Sequence, residues 1–383
     1  MPSVARPLSL IRDAVQSNDV WIRGPWWDGF WILSGVPFGA ALTGLSFWLP
    51  ANVMILWIVL LTQTGHLLSP MTLAWSHDGF RALMLRRPVK FIAVPIAILA
   101  GSTAVGMVGS WTLPGIRFDP NNIAIAAGPT TWAQFRNPFM AMVALYAVWN
   151  AYHFGKQAFG VMSIYRLKCG GYDRAHRKID KLYSCGVIWA AMAMPFIPRI
   201  AEGAHNLTGW PAHPHPFLDR VEPVYLAVAL VLISGMLWRE WRTGRSLPRT
   251  LFILTNGLGL ILIFHAGLWG FAIIAINHWL VAIGLASHVR ANHHGASPWP
   301  FALGLMVAGA VLFSLLFVNL GVIGHGFTTA ALQFSIVIVG LRLGLGFVHF
   351  LYDRWAYKFG DPQVRATIGE DDWNREKASA LLG

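Results

Sequence analysis

The chain has 383 residues, of which 55% are hydrophobic and only 12% charged, with 19 Trp and 23 Phe. A soluble domain carries about 25% charged residues, so this composition excludes an ordinary water-soluble globule and indicates an integral membrane protein. The net charge of +12 is no sign of nucleic-acid binding, because the basic residues cluster in short segments between apolar runs, where the positive-inside rule puts them.

In chain order, residues 1–28 form an N-terminal cytoplasmic or interfacial segment that lacks the apolar core and cleavage site of a signal peptide. Apolar runs of membrane-crossing length then recur at roughly 29–49, 51–69, 91–113, 138–165, 183–201, 221–240, 250–267, 270–290, 299–320 and 328–352. The expected architecture is an all-α, polytopic transmembrane helical bundle of about ten spans over 29–352, followed by a polar tail, 353–383. With a cytoplasmic N-terminus, the inner segments hold 23 Lys and Arg and the outer segments four, so both termini are expected to be cytoplasmic. The expected location is a bacterial inner membrane. Cys169 and Cys185 are too few for a disulfide framework or a zinc ribbon. Gly284, Gly295, Gly344 and Gly346 are expected to let helices approach closely.

Histidines mark the expected site. On this topology His66, His153, His278, His288 and His349 all fall on spans running from outside to inside, in the inner half of the membrane or at its inner edge. His77, His293 and His294 follow in adjoining inner segments. Ionisable groups within a membrane are costly and face a bundle interior or a cavity. On the fourth span Asn150, His153 and Gln157 share a helical face, with Lys156 beside them. On the tenth, Arg342, Gly346, His349 and Asp353 are spaced 4, 3 and 4, again one face. Asp353 is placed either to orient the His349 imidazole or to ligate a metal itself.

Neutral imidazole suits iron, zinc and copper, and the scarcity of thiolate argues against iron–sulfur clusters. The first candidate metal ligands are His66, His153, His278 and His349, followed by His77, His288, His293 and His294. Asp353, Gln157 and Asn150 are candidate catalytic groups, and Arg342 and Lys156 candidates for binding a substrate headgroup. The expected cofactor is non-haem iron, mononuclear or dinuclear, with haem as the alternative. No nucleotide-binding loop, serine-hydrolase elbow or HExxH motif is present. His205, His213, His215, His265, His325 and His176 lie away from this group and are read as structural.

The segment His288-Val-Arg-Ala-Asn-His293-His294 is similar to one histidine box of the membrane fatty-acid desaturase and hydroxylase superfamily. The phrases YHFGKQAFG, NHWLVAIGLASHV and VHFLYDRWAYKF, with single histidines dispersed over several spans from His66 onward, resemble bacterial Brp/Blh-type β-carotene dioxygenases. That resemblance implies iron held by histidines from separate helices and oxidation of a hydrophobic substrate by dioxygen.

The function expected is therefore a membrane-embedded, histidine-ligated metalloenzyme: an oxygenase, hydroxylase or desaturase acting on a lipid-soluble substrate. Its partners would be membrane lipid and, for chemistry that consumes electrons, a separate donor protein at the cytoplasmic face. The alternatives are a proton- or ion-coupled transporter using the same polar residues as a pathway, and a haem- or pigment-binding subunit.

Overall fold

The computed structural model describes residues 21–45, 48, 62–112, 138–168, 174–190, 214–243, 246–266, 268–322 and 329–356. The expected N-terminal segment before residue 21, the tail beyond 356, and His205, His213 and His325 lie outside the described residues.

Among the described residues every regular element is a helix. In chain order they are α1 (Pro25–Trp31), α2 (Gly35–Leu45), α3 (Thr64–Ser76), α4 (Asp78–Arg86), α5 (Val94–Thr112), α6 (Pro138–Lys168), α7 (Arg174–Leu182), α8 (Pro214–Thr243), α9 (Leu247–Ala266), α10 (Leu268–His294), α11 (Trp299–Val322) and α12 (Thr329–Ala356). Two π-helical turns, Val89–Ala93 and Tyr183–Ile188, precede α5 and follow α7. Among the described residues two stretches, Val89–Gly109 and Val221–Arg242, are long and apolar enough to cross a membrane. The chain divides into two compact units, one of residues 1–49, 150–198 and 213–284, the other of residues 50–149, 199–212 and 285–383.

In the first unit, Pro25 starts α1, where its fixed φ and missing N–H suit the first helical turn. The chain leaves the helix at Ile32–Ser34 and resumes it at Gly35. The run expected at 29–49 is thus two helices where described. Gly35 is required at the restart, because a Cβ there would fall inside the side chain of Asn277 on α10. Asp28, fully buried, accepts hydrogen bonds from the backbone N–H of Ile22 at 2.8 Å and of Arg23 at 3.1 Å, and from the Tyr165 hydroxyl at 3.0 Å. Those bonds tie the segment before α1 to α6. α8 packs on α9, and α9 on α2. Asp180 on α7 bridges two arginines at 2.7 Å each, Arg166 of α6 and Arg249 of α9, and Arg249 also pairs with Glu240 of α8. All four side chains are buried. Each charge has a partner of opposite sign, and this lets the network persist out of water.

In the second unit, α12 packs along α5 and α3, and α11 on α3. Small residues set these approaches. A Cβ on Gly340 would come within 2.7 Å of the Ser102 carbonyl oxygen, and one on Gly344 within 3.0 Å of the Ser102 side chain. Gly65 on α3 and Gly309 on α11 meet backbone to backbone. Phe139, Met142 and Leu343 form a buried core with Val105 and Phe347 around them. Close packing through small residues is how helices associate where lipid removes the hydrophobic drive.

Of the four glycines expected at close approaches, Gly284 meets Trp31 in the first unit, and Gly344 and Gly346 meet Ser102 and Tyr146 in the second. Gly295 does not: nothing lies within 4 Å of its would-be Cβ, and its φ is +60°. It ends α10 instead. The Ala296 N–H donates to the Ala291 carbonyl at 2.8 Å, the six-to-one bond of a glycine C-cap.

Candidate metal centre

α3 carries His66, and its local geometry follows from Pro70. Proline has no N–H, so the carbonyl four residues earlier, that of His66, loses its helical donor. The Ser69 hydroxyl donates to it at 2.8 Å, which keeps the polar backbone satisfied at this buried point. One turn before His66, Thr62 and Gln63 are wound in π form, a local winding frequent at functional sites.

α12 brings His349 against α3 within the second unit. The His66 and His349 ring centroids are 4.1 Å apart, tilted by 56°. The Nδ1 of His349 lies 3.3 Å from the Leu67 carbonyl oxygen. A carbonyl only accepts, so Nδ1 carries the proton and Nε2 keeps the lone pair. Further along the same two helices, Arg342 donates to the Gln63 side-chain oxygen. Gly346 gives room to Tyr146. Asp353 follows one turn after His349 and is buried.

The first unit holds a second pair. His153 on α6 meets His278 on α10 edge to face, with ring centroids 4.8 Å apart at 85°. Phe154 lies flat on His278, at 3.9 Å and 14°, and fixes the plane of that imidazole. Gln157 and Asn277 line a small cavity beside His278. Asn150 and Lys156 are half-buried on α6, and the Lys156 ammonium sits 5.3 Å from the Tyr152 ring centroid.

His66 and His349 of the second unit and His153 and His278 of the first are all buried. Each pair offers imidazole nitrogens, a donor type that suits iron, zinc or copper.

The other four candidate histidines lie elsewhere in the second unit. His77 caps α4, its Nδ1 accepting the Phe80 N–H at 3.3 Å. The His288 Nε2 is 3.1 Å from the Asn292 amide nitrogen, and the His294 Nε2 is 2.9 Å from the Ser76 carbonyl oxygen. His293 stacks on His77 at 3.8 Å and 23°, with its Nε2 3.7 Å from Asp78. Nearly parallel rings aim their lone pairs alongside each other, which is poor geometry for sharing an ion.

Sequence reading puts His66, His153, His278 and His349 first among the eight candidates, ahead of His77, His288, His293 and His294. The Leu67 carbonyl, which sets the His349 tautomer, is backbone and leaves no sequence signal. Phe154, next to His153, was legible only as an apolar residue. No family model, curated relative or solved structure matches the chain, so its chemistry rests on the residues themselves.

Proposed function

We propose that this chain is a membrane-embedded metalloenzyme that uses non-haem iron, with His66, His153, His278 and His349 as its first candidate ligands, and that it oxidises a lipid-soluble substrate with dioxygen. The observation that carries the reading is a pair of buried imidazoles in each unit, His66 with His349 and His153 with His278. Bound by imidazole nitrogens, iron would supply dioxygen activation and keep coordination positions open for oxidant and substrate.

The chain's own residues prepare that site. The Leu67 carbonyl holds His349 in the tautomer that presents Nε2, and such partners raise ligand basicity and fix ring orientation. Phe154 prevents His278 from turning. Arg342 and Lys156 are the candidates to meet a substrate's polar end.

Several helices display apolar side chains outward, which supports the membrane setting. Leu303, Val307 and Val311 line one exposed face of α11, and Val224, Val228 and Val231 one of α8. Such continuous apolar faces are unfavourable against water and natural against lipid. The topology that goes with this reading is the ten-span bundle with both termini cytoplasmic, in a bacterial inner membrane. The basic inner segments would then offer a docking face for an electron-donor protein.

Haem fits the His153–His278 pair less well. Two axial imidazoles on one iron, with bonds of about 2.0 Å each, set ring centroids roughly 6 Å or more apart, whereas these stand at 4.8 Å.

The test is the metal content of detergent-purified full-length protein, by elemental mass spectrometry with a visible spectrum alongside. One iron per chain without a Soret band is expected. A folded protein that stays metal-free after anaerobic iron reconstitution overturns the proposal and turns attention to a polar transport pathway.

A further inference from the structure

The cavity beside His278 lies wholly within the first unit and measures about 20 Å³. Its polar wall is Gln157 of α6, Asn256 of α9, and Asn277 and His278 of α10, with Phe154 and Ile188 among the apolar lining. Two atoms of that wall have no hydrogen-bond partner, the amide nitrogen of Gln157 and the side-chain oxygen of Asn277. Asn277 is 95% buried, at 5% relative exposure. A buried amide left in this state costs about as much as a hydrogen bond lost outright, so native proteins rarely keep one without a partner.

The arrangement is held in place. Gly35 presses directly on the Asn277 side chain, and Phe154 stacks on His278. The Asn256 amide nitrogen donates one of its two hydrogens to the Phe252 carbonyl at 3.0 Å, which leaves Asn256 its second hydrogen and its oxygen to offer. No charged side chain lines the cavity, so the wall does not select an ion. One donor and at least one acceptor face a space of this size, and a single water needs about 10–15 Å³ with two to four polar partners.

We infer that this cavity is a built binding site for one small neutral molecule that both donates and accepts hydrogen bonds, namely a structural water. The water accepts from the Gln157 amide and donates to the Asn277 oxygen. Its remaining hydrogen and lone pair are left for Asn256 and for the edge of His278. Occupancy of the cavity does not depend on the metalloenzyme reading.

The experiment is a high-resolution structure of the full chain prepared free of metal, with and without xenon pressure, for the wild type and for Gln157→Leu and Asn277→Leu. The expected result is an ordered peak within hydrogen-bonding distance of both amides in the wild type, no xenon there, and loss of the peak in either variant. An apolar dry cavity binds xenon. Xenon in the wild-type cavity, or a direct Gln157–Asn277 bond with no peak, overturns the inference. Gln157→Leu is the safer variant, because Gln157 is only half-buried and does not pack on Gly35. A wild-type water in a protein that never binds metal leaves this site standing and removes only the metalloenzyme reading.

Discussion

The Nδ1 of His349 lies 3.3 Å from the Leu67 carbonyl oxygen, and this contact decides which ring nitrogen is left for a metal. Because Leu67 directly follows His66, the bond also fixes the spacing of two clustered histidines on neighbouring helices. Replacing His349 by Ala is expected to abolish stoichiometric metal binding. The loss should exceed the roughly 10–100-fold that removal of a ligand's hydrogen-bonding partner costs. His288→Ala and His294→Ala, whose rings are engaged by Asn292 and Ser76, should retain the metal. Elemental analysis of the three folded variants checks this, and equal loss in all of them would contradict the four-histidine assignment.

The approach of α3 to α11 depends on two glycines. A Cβ on Gly65 would come within 2.8 Å of the Leu305 carbonyl oxygen, and one on Gly309 would meet the Gly65 backbone. Backbone cannot step aside as a flexible side chain can. Gly309→Ala should therefore cost about 1–3 kcal/mol, as overpacking does, and should lower metal occupancy by displacing the residue beside His66. Gly304→Ala on the same helix meets nothing within 4 Å and should be neutral or gain up to about 1 kcal/mol in helix propensity. Thermal unfolding in one detergent distinguishes the pair. Equal melting temperatures would mean that the two helices are not in tight contact.

Much of the helical framework was legible in hydropathy: the expected 270–290, 299–320 and 328–352 correspond to α10, α11 and α12 at 268–294, 299–322 and 329–356. Hydropathy reports burial from water and says little about chain direction within an apolar run, so the break at Ile32–Ser34 went unseen. The face pattern of α12 correctly grouped Arg342, Gly346 and His349 along one side facing α3 and α6. Depth in an apolar run ranks His66 above His77. What remained hidden was the local role of His77, which caps a helix through its Nδ1 while His66 meets His349. The Asp180 network was also missed, because its members sit in segments whose basic residues were counted for orientation and never paired.

That network yields a stability prediction. Asp180 neutralises both Arg166 and Arg249 at 2.7 Å, and its side chain is almost entirely buried. Asp180→Ala removes the acid that pairs with both buried guanidinium groups and leaves Arg249 its bond to Glu240. Breaking such a pair costs about 3–5 kcal/mol, enough to lose most of the folded protein on purification. Asp78→Ala removes a bridge to Arg81 whose side chains are half or more exposed, and should change stability by less than about 1 kcal/mol. Yield and melting temperature of the two variants give the comparison, and a well-folded Asp180→Ala would show that the network is solvated.

Asp28 gives stability a pH dependence whose sign follows from its surroundings. Burial pushes its carboxyl up from 3.8 to about 6, against the lowering effect of the Ile22, Arg23 and Tyr165 hydrogen bonds. The folded protein therefore holds this proton more tightly than the unfolded chain, and unfolding releases it at pH values between the two. Stability from this group is full below about 4, declines as pH rises through about 6, and is level above. At 1.36 kcal/mol per unit of pKa, the decline amounts to at most roughly 3 kcal/mol. Asp28→Asn carries no titrating proton. It should flatten this part of the melting-temperature profile while lowering the whole curve, because an amide has one acceptor oxygen where the carboxylate offers two. A wild-type profile that rises with pH across this window would mean that the three hydrogen bonds outweigh burial and that Asp28 is held ionised.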